Sequence, residues 1–172
     1  MNGLSLPEWL VLAILSQRPA HGFALARLTA PGGEFGRIWQ IPKAVVYRAI
    51  GRLLQAGLIA PEGIEPGQGP RRTIYTATPY GREKAGEWLR TPVAHVRDIR
   101  SHLLLKLALL DRAGDDPADL LRRQRAALVP IAQAIEARQA AGAERGFDAV
   151  LLAWRRSTAS AAIDFIDAIT GA

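Results

Sequence analysis

The chain has 172 residues, of which 49% are apolar and 22% charged, a composition typical of a globular protein. It contains no cysteine, which excludes disulfides, thiolate chemistry and cysteine-ligated zinc. Residues 1–90 carry 11 Lys and Arg against 6 Asp and Glu, whereas residues 91–172 carry 11 against 10. A basic half joined to a nearly neutral half predicts a polyanion-binding module attached to a part with another task.

The beginning of the chain predicts neither a leader nor a membrane span. No basic stretch precedes an apolar one within the first five residues, and the apolar run over residues 9–15 is too short to cross a bilayer. We therefore expect a soluble, cytoplasmic protein that has no membrane partner.

Two helices are predicted in the first thirty residues. Ser5 and Glu8 form a capping-box pattern that begins a helix, and Pro19 ends it. A second, short helix is predicted over residues 21–29. The residues expected to face inward from this second helix are Phe23, Ala24 and Leu28.

A third helix is predicted to begin at Pro42 and to end at Ala56, with Gly57 as its cap. At about 100° per residue, its apolar face contains Val46, Ala49, Ile50, Leu53 and Leu54. Its opposite face contains Ala44, Tyr47, Arg48, Gly51, Arg52 and Gln55. Arg and Gln can bind base edges or phosphates, and small residues let a helix approach a groove. An ordinary solvated face would show the same pattern, so this helix alone does not decide between the two.

A β-hairpin is predicted after the third helix. Residues 58–60 form a short strand, residues 61–70 a loop rich in Gly and Pro, and residues 73–77 the return strand. Arg71 and Arg72 adjoin this loop, where they can contact phosphates or the minor groove. Because neighbouring strand residues point to opposite faces, one of the two is expected to meet DNA directly.

A helix capped by Thr78 and Pro79 is predicted to follow and to extend through Leu89. The complete order is three helices, a strand, a hairpin loop, a strand and a helix, which is the order of a winged helix-turn-helix domain. We therefore predict a mainly α fold with a small β-wing, in which the third helix is the recognition helix.

Residues 91–172 are predicted to be helical throughout. One helix covers residues 98–110, a second begins at Pro117 and is expected to kink at Pro130, and a third ends the chain. The apolar stripe of the second passes through Leu121, Leu128, Ile131 and Ile135. The stripe of the third passes through Phe147, Leu151, Trp154, Thr158, Ala161, Phe165 and Ile169. We expect a DNA-binding domain over residues 1–90 and a helical dimerisation domain over residues 91–172.

An ordered set of short stretches matches one known family. In the first half they are LAIL at 12–15, HGFAL at 21–25, VYRAI at 46–50 with RL at 52–53, GLI at 57–59, Arg72 before Tyr75, and Thr78 with Gly81 ahead of Trp88 and Leu89. In the second half they are residues 99–107 and Trp154. Over nearly its whole length, the chain resembles PadR-like transcriptional regulators.

The resemblance implies a homodimer that binds a palindromic operator in double-stranded DNA, usually represses transcription and is often released by a small ligand. Tyr47 matches a family tyrosine that contacts the DNA backbone. The predicted DNA-binding residues are His21, Lys43, Ala44, Tyr47, Arg48, Gly51, Arg52, Gln55, Arg71 and Arg72. The predicted dimer interface consists of Leu121, Leu128, Ile135, Phe147, Leu151, Phe165 and Ile169, on the stripe that also holds Trp154.

Trp9 and Trp154 are the candidates for binding a small aromatic effector, because the family's effector sites lie between the winged helix and the dimer helices. Core packing is the usual role of a tryptophan. The small residues at 157–162, beside Trp154, allow either tight helix packing or room for a ligand.

No pattern in the sequence indicates catalysis, a cofactor or a metal site. His21, His95 and His102 lack metal-ligand spacing, and the acidic residues around Pro117 suit the start of a helix. Two alternatives to this DNA-binding regulator remain, namely a winged-helix protein-interaction module and a ligand-sensing regulator of another winged-helix family. The basic outer face of the third helix and the wing favours DNA over the first alternative.

Overall fold

A computed structural model describes residues 3–65 and 71–171 of the chain. The chain divides into two compact units, one formed by residues 1–90 with 104–115, the other by residues 91–103 with 116–172. Within the described residues, none of the helices is both long and apolar enough to cross a membrane. Whether an independently folding domain ends at residue 90, as predicted from the sequence, stays a prediction.

The first helix, α1 (Leu6–Gln17), lies inside the first unit. It begins where the Ser5 backbone N–H donates a 2.7 Å hydrogen bond to the Glu8 carboxylate, which confirms the predicted capping box. The six consecutive residues 10–15 are all buried. A helix that is apolar on every side has to be covered on every side, so the other elements of the unit pack around α1.

A two-residue strand, β1 (Ala20–His21), precedes the short helix α2 (Gly22–Thr29). The prediction that Phe23 faces inward is wrong, because 41% of this residue is exposed. Leu25 and Ala26 are buried instead, and the other two residues predicted to face inward are half-buried. An eight-residue helix has one narrow buried face, and in α2 this face consists of Gly22, Leu25, Ala26 and Thr29.

The recognition-helix candidate, α3 (Lys43–Gln55), begins after Pro42 and ends before Gly57, whose φ of +67° is the left-handed cap conformation. Each end lies one residue inside the helix predicted from the sequence, which ran from Pro42 to Ala56. The residues that it buries are Val46, Ala49, Ile50 and Leu53, with Leu54 half-buried. The apolar face read from the helical periodicity is therefore confirmed.

The sheet has three antiparallel strands in the order β1-β3-β2, with β2 at Ile59–Glu65 and β3 at Arg72–Ala77. The prediction that residues 61–65 belong to a loop is wrong, because β2 continues through Pro61 and Gly63 with a bulge between them. Residues 66–70 of the predicted loop lie outside the described residues. The mainly α fold with a small β-wing is confirmed.

Thr78 joins the sheet to the next helix, α4 (Pro79–Arg90). Its hydroxyl donates a 2.9 Å hydrogen bond to the Gly57 carbonyl and accepts one of 3.0 Å from the Gly81 N–H. A Cβ added to Gly81 would lie 2.0 Å from the Leu58 carbonyl oxygen. Glycine at this position therefore lets α4 pack directly against the backbone that leads into β2.

The helix α5 (Leu104–Ala113) belongs to the first unit. Leu105 and Leu109 are fully buried in the same apolar core as α1. Arg112 Nη1 lies 2.6 Å from Glu34 Oε2, in the segment that follows α2. α1 is thus packed against α3, α4, α5 and β3.

The second unit contains two long helices, of which the first is α6 (Ala118–Ala141). The buried Gln124 side chain accepts a 2.6 Å hydrogen bond from the Val93 N–H and donates a 3.0 Å bond to the Val93 carbonyl. These two hydrogen bonds satisfy both backbone groups of Val93, as pairing with a neighbouring strand would. They fix the segment after residue 90 against α6. Short 3₁₀ and π turns follow at Val96–Asp98 and Ile99–Leu103. The kink expected at Pro130 stays a prediction.

The last helix, α7 (Phe147–Thr170), packs against α6. The residues that it buries are Leu152, Ala159, Ala162 and Ile166. The stripe predicted from the sequence lies largely outside this contact, with Phe147 76% and Trp154 67% exposed. In contrast, Leu121 and Leu128 of α6 are buried within the single chain.

Candidate nucleic-acid interface

The outer face of α3 is exposed as predicted. Seven residues form it, namely Lys43, Ala44, Tyr47, Arg48, Gly51, Arg52 and Gln55. A Cβ added to Gly51 would meet none of the described atoms within 4 Å, so this position faces open space in the described part of the chain. The face therefore combines long donors with positions of almost no bulk, which suits close approach to a groove.

An aromatic–basic cluster lies where the first residues of α2, α3 and β3 meet, and consists of His21, Phe23, Lys43, Tyr47 and Arg72. The Lys43 ammonium lies 5.8 Å from the centroid of the Phe23 ring and 5.8 Å from that of the Tyr47 ring. The Arg72 guanidinium lies 5.1 Å from the Phe23 centroid. The His21 ring stacks on the Phe23 ring with centroids 6.3 Å apart. These distances are in the range of cation–π and ring-stacking contacts.

His21 and Gly22 fix the start of α2 beneath this cluster. The His21 Nδ1 accepts a 3.0 Å hydrogen bond from the Ala24 N–H and so caps the first turn of α2. A Cβ added to Gly22 would lie 2.8 Å from Cε1 of Tyr47. Glycine therefore allows the Tyr47 ring to lie directly against the first turn of α2.

Both arginines of the predicted wing are exposed, Arg72 as a member of the cluster and Arg71 directly before it in the chain. A hollow of about 380 Å³ is lined by residues of α2, α3 and β3. Arg71, Arg72 and Tyr75 are among them. The expectation that only one arginine of the pair points toward DNA assumed strand alternation. Arg71 precedes β3, so that alternation does not apply to it.

Arg52 is held by an ion pair with a carboxylate inside the first unit. Its Nε lies 3.1 Å from Oε1 of Glu8, a buried carboxylate that also accepts the capping bond from Ser5. Arg52 thus neutralises a carboxylate in α1 while 63% of its own side chain remains exposed. Its first role is structural, and a DNA contact would be additional.

Comparison with known proteins identifies the N-terminal part. Residues 11–87 match the family model described as the transcriptional regulator PadR-like family. These residues belong to the PadR-like family of transcriptional regulators. Their predicted family resemblance is therefore confirmed, and we call them the PadR-like segment.

Solved structures of regulators are among the matches to the chain, although the likeness is distant. Bacillus subtilis PadR in complex with operator DNA is 17% identical, with a TM-score of 0.47 over 94% of this chain and 96% of that one. The same protein with p-coumaric acid is 14% identical, with a TM-score of 0.46 over 96% of both chains. A PadR-like regulator from Bacillus cereus is 17% identical, with a TM-score of 0.41 over 94% of this chain and 93% of that one. No curated protein matches the sequence.

The two tryptophans assigned to an effector differ in their surroundings. Trp9, before the PadR-like segment, stacks on Trp88 with ring centroids 5.6 Å apart and planes 3° from parallel. The Lys106 ammonium lies 4.9 Å from the Trp88 centroid, and burial lowers the pKa of Lys106 to about 8. Trp154 is exposed and belongs to the second unit. Their joint role in effector binding stays a prediction.

Sequence reasoning missed two residues of this surface and its support. Phe23 was assigned to the core, although it follows the helix-starting His21-Gly22 pair and precedes the residues that α2 buries. Glu8 was read only as a capping residue, and its ion pair with Arg52 joins residues 44 positions apart. Only the three-dimensional packing of α1 against α3 brings that pair together.

Proposed function

We propose that this chain is a transcriptional regulator that binds duplex DNA with α3 and with the wing formed by β2 and β3. The observation that carries the proposal is the aromatic–basic cluster, which presents Lys43 and Arg72 from two elements on one exposed patch. Cations that bind phosphates supply most of the non-specific affinity of such proteins for DNA. The PadR-like segment supports the same function.

Phosphate contacts are proposed for Lys43, Tyr47, Arg71 and Arg72. The last three line the hollow beside α2, α3 and β3, and the Lys43 ammonium lies 5.8 Å from the centroid of the Tyr47 ring. A tyrosine hydroxyl and a guanidinium both donate hydrogen bonds that phosphate oxygens accept. His21 adjoins the same hollow and is proposed as a further backbone contact. These residues would fix the register of α3 on the duplex.

Base contacts are proposed for Arg48 and Gln55 on the outer face of α3. Arginine pairs with the O6 and N7 atoms of guanine, and glutamine with the N6 and N7 atoms of adenine. Ala44 and Gly51 lack the bulk that would hold the helix backbone away from a groove. Arg52 is proposed as an accessory contact that first serves Glu8.

Replacement of the wing arginines tests the proposal. The double substitution Arg71→Ala and Arg72→Ala is expected to weaken binding to every duplex and to flatten the dependence of log K on log salt by roughly one to two phosphate equivalents. Arg122→Ala with Arg123→Ala is the matched control, since it removes an adjacent exposed pair in α6. Fluorescence anisotropy over a salt series measures both.

Two outcomes would contradict the proposal. Equal salt slopes for the wing variant and the wild type would remove the wing from the interface. Binding of the wild type to random duplex that does not weaken between low and high salt would instead favour a winged-helix protein-interaction module.

The active form is proposed to be a homodimer that reads a palindrome, with half-sites about 10 base pairs apart or a multiple of that spacing. The open stripe of α7 supports this, since Phe147, Trp154 and Ile169 are large, apolar and exposed in the single chain. Half-buried residues that can extend the seam are Ile135, Leu151 and Phe165. Leu121 and Leu128 are left out, because the chain already buries them.

The regulator is proposed to act as a repressor that a small, flat, mostly apolar ligand releases, with Trp9 and Trp154 each a candidate contact for that ligand. The ligand can weaken DNA binding only by the difference between its affinities for the two states. A change of about 100-fold corresponds to about 2.7 kcal/mol of coupling, within the usual range. Tryptophan quenching by aromatic compounds in wild type, Trp9→Phe and Trp154→Phe locates the site. Equal quenching in both variants without a change in DNA affinity would contradict it.

A further inference from the structure

Phe23 is a large apolar residue on the side of the protein proposed to bind DNA, and 41% of it is exposed. An exposed phenylalanine loses the hydrophobic stabilisation that burial would give. The groups around its ring are polar, namely the imidazole of His21, the ammonium of Lys43 and the guanidinium of Arg72. The ring therefore serves something other than the core.

Each neighbouring cation comes from a different element of the DNA-binding surface. Lys43 is the first residue of α3, whereas Arg72 is the first residue of β3 in the wing. Their side chains are long and carry several rotatable bonds, so without a partner each would sample many positions. Both approach within 6 Å of one ring, at 5.8 Å and 5.1 Å from its centroid. The aromatic quadrupole attracts both cations, and it leaves their N–H groups able to donate to phosphates.

We propose that Phe23 is a positioning residue of the DNA-binding surface, whose ring holds Lys43 of the recognition helix and Arg72 of the wing in place for phosphates of the same duplex. This inference rests on the proposed function. The positioning role explains why an apolar ring is exposed at the start of α2. It also means that α3 and the wing bind DNA as one unit. The ring orders the two cations before DNA arrives, which lowers the entropy lost on binding.

The salt dependence of DNA binding separates this role from a merely structural one. Phe23→Leu keeps an apolar side chain but removes the aromatic face, whereas Phe23→Trp keeps the face. Phe23→Leu is expected to lower affinity for every duplex about 3- to 30-fold at low salt and to reduce the salt slope by about one phosphate equivalent. Phe23→Trp is expected to retain the wild-type slope. A thermal melt of each variant checks that folding is unchanged.

A second background tests whether Phe23 acts through the two cations. In a chain that already carries Lys43→Gln and Arg72→Gln, Phe23→Leu is expected to change neither the slope nor the affinity further, because the groups that it positions are gone. The same loss in both backgrounds would overturn the proposal. A loss confined to one preferred sequence, with the wild-type slope retained, would overturn it too, since it would make Phe23 a direct base contact.

The failure of this inference is distinguishable from that of the proposed function. If the wild type shows steep salt-dependent binding and Phe23→Leu matches it, the positioning role is wrong and the DNA-binding function stands. If the wild type shows no salt-dependent binding to any duplex, both fall together.

Discussion

Gly22 matters for DNA binding because its lack of a side chain sets the position of the Tyr47 ring, which is proposed to contact phosphate. A Cβ at this position would approach Cε1 of Tyr47 to 2.8 Å, and the ring end of a tyrosine can move aside at little cost. Gly22→Ala is therefore expected to leave the free energy of unfolding within about 1 kcal/mol of the wild type, while it displaces Tyr47 and weakens DNA binding about fivefold, the equivalent of one lost hydrogen bond of about 1 kcal/mol. Urea denaturation and anisotropy titration measure the two effects.

Gly86→Ala in α4 is the matched control for that variant, since it lies outside the proposed DNA-binding face and an added Cβ there would first meet the flexible guanidinium of Arg90, at 3.3 Å. It should stabilise the protein by about 0.5–1 kcal/mol, because alanine is the better helix former. If Gly22→Ala bound DNA as tightly as the wild type, the position of Tyr47 would be irrelevant to binding.

Lys106 makes the free energy of unfolding depend on pH in the alkaline range. Burial lowers the pKa of its ammonium to about 8, whereas the amine has a pKa of 10.5 in the unfolded chain. Between these values the unfolded state holds a proton that the folded state has released, so this residue makes the free energy of unfolding rise with pH across that window. Below pH 8 both states are charged and the full cost of burying the charge applies.

Lys106→Met removes this titration and is expected to raise the free energy of unfolding at pH 7 by about 1–3 kcal/mol, after allowance for the lost contact with Trp88. The advantage over the wild type should shrink as the pH rises from 8 to 10.5. Denaturant melts of both proteins at several pH values measure it. A difference that stayed constant over that range would show that the amine titrates normally in the folded protein.

At the scale of elements, α5 stabilises a unit that lies mostly before it in the chain. Leu109 has no exposed surface and belongs to the core around α1. Leu109→Ala is expected to lower the free energy of unfolding of the first unit by about 2–5 kcal/mol. The exposed Val150 provides a control, since Val150→Ala should change it by less than about 0.5 kcal/mol. If Leu109→Ala left the unfolding transition of the first unit unchanged, α5 would not be part of the cooperative core of that unit.

The elements with regular periodicity could be predicted from the sequence. The apolar spacing of α3, bounded by Pro42 and Gly57, predicted its buried face and, to within one residue, both of its ends. The capping box at Ser5 gave the start of α1 in the same way. These signals are local, because each depends on residues within one or two turns of the helix.

The elements that were missed depend on partners far away in the chain. β1 has two residues, and its pairing with Tyr75 and Ile74 of β3 carries no periodic signal. β2 runs through Pro61 and Gly63, residue types that ordinarily indicate a loop. Phe23 was misplaced because hydrophobicity alone assigns a phenylalanine to the core, while its contacts with Lys43 and Arg72 join three separate elements.

At the scale of the whole molecule, the exposed apolar stripe of α7 is the proposed dimer interface, and the oligomeric state tests it. Phe147→Glu with Trp154→Glu places two charges on the proposed seam, and is expected to convert a dimer into a monomer and to weaken binding to a palindromic site by more than tenfold. Sedimentation velocity measures the oligomeric state. Tyr80→Glu alters a comparably exposed aromatic residue of the first unit and should leave the dimer intact. Dimers that persisted in the α7 variant would assign the seam to another surface.

The edge of the wing bears on how these molecules behave when crowded. β2 is an outer strand of the sheet, and a regular outer strand can pair with a strand from another molecule and start aggregation. Pro61 has no N–H to offer to an incoming strand, and the bulge between Pro61 and Gly63 breaks the regular spacing that such a strand would need. The irregularity of β2 therefore disfavours pairing of the wing with a strand of a second molecule, which would otherwise build a continuous intermolecular sheet.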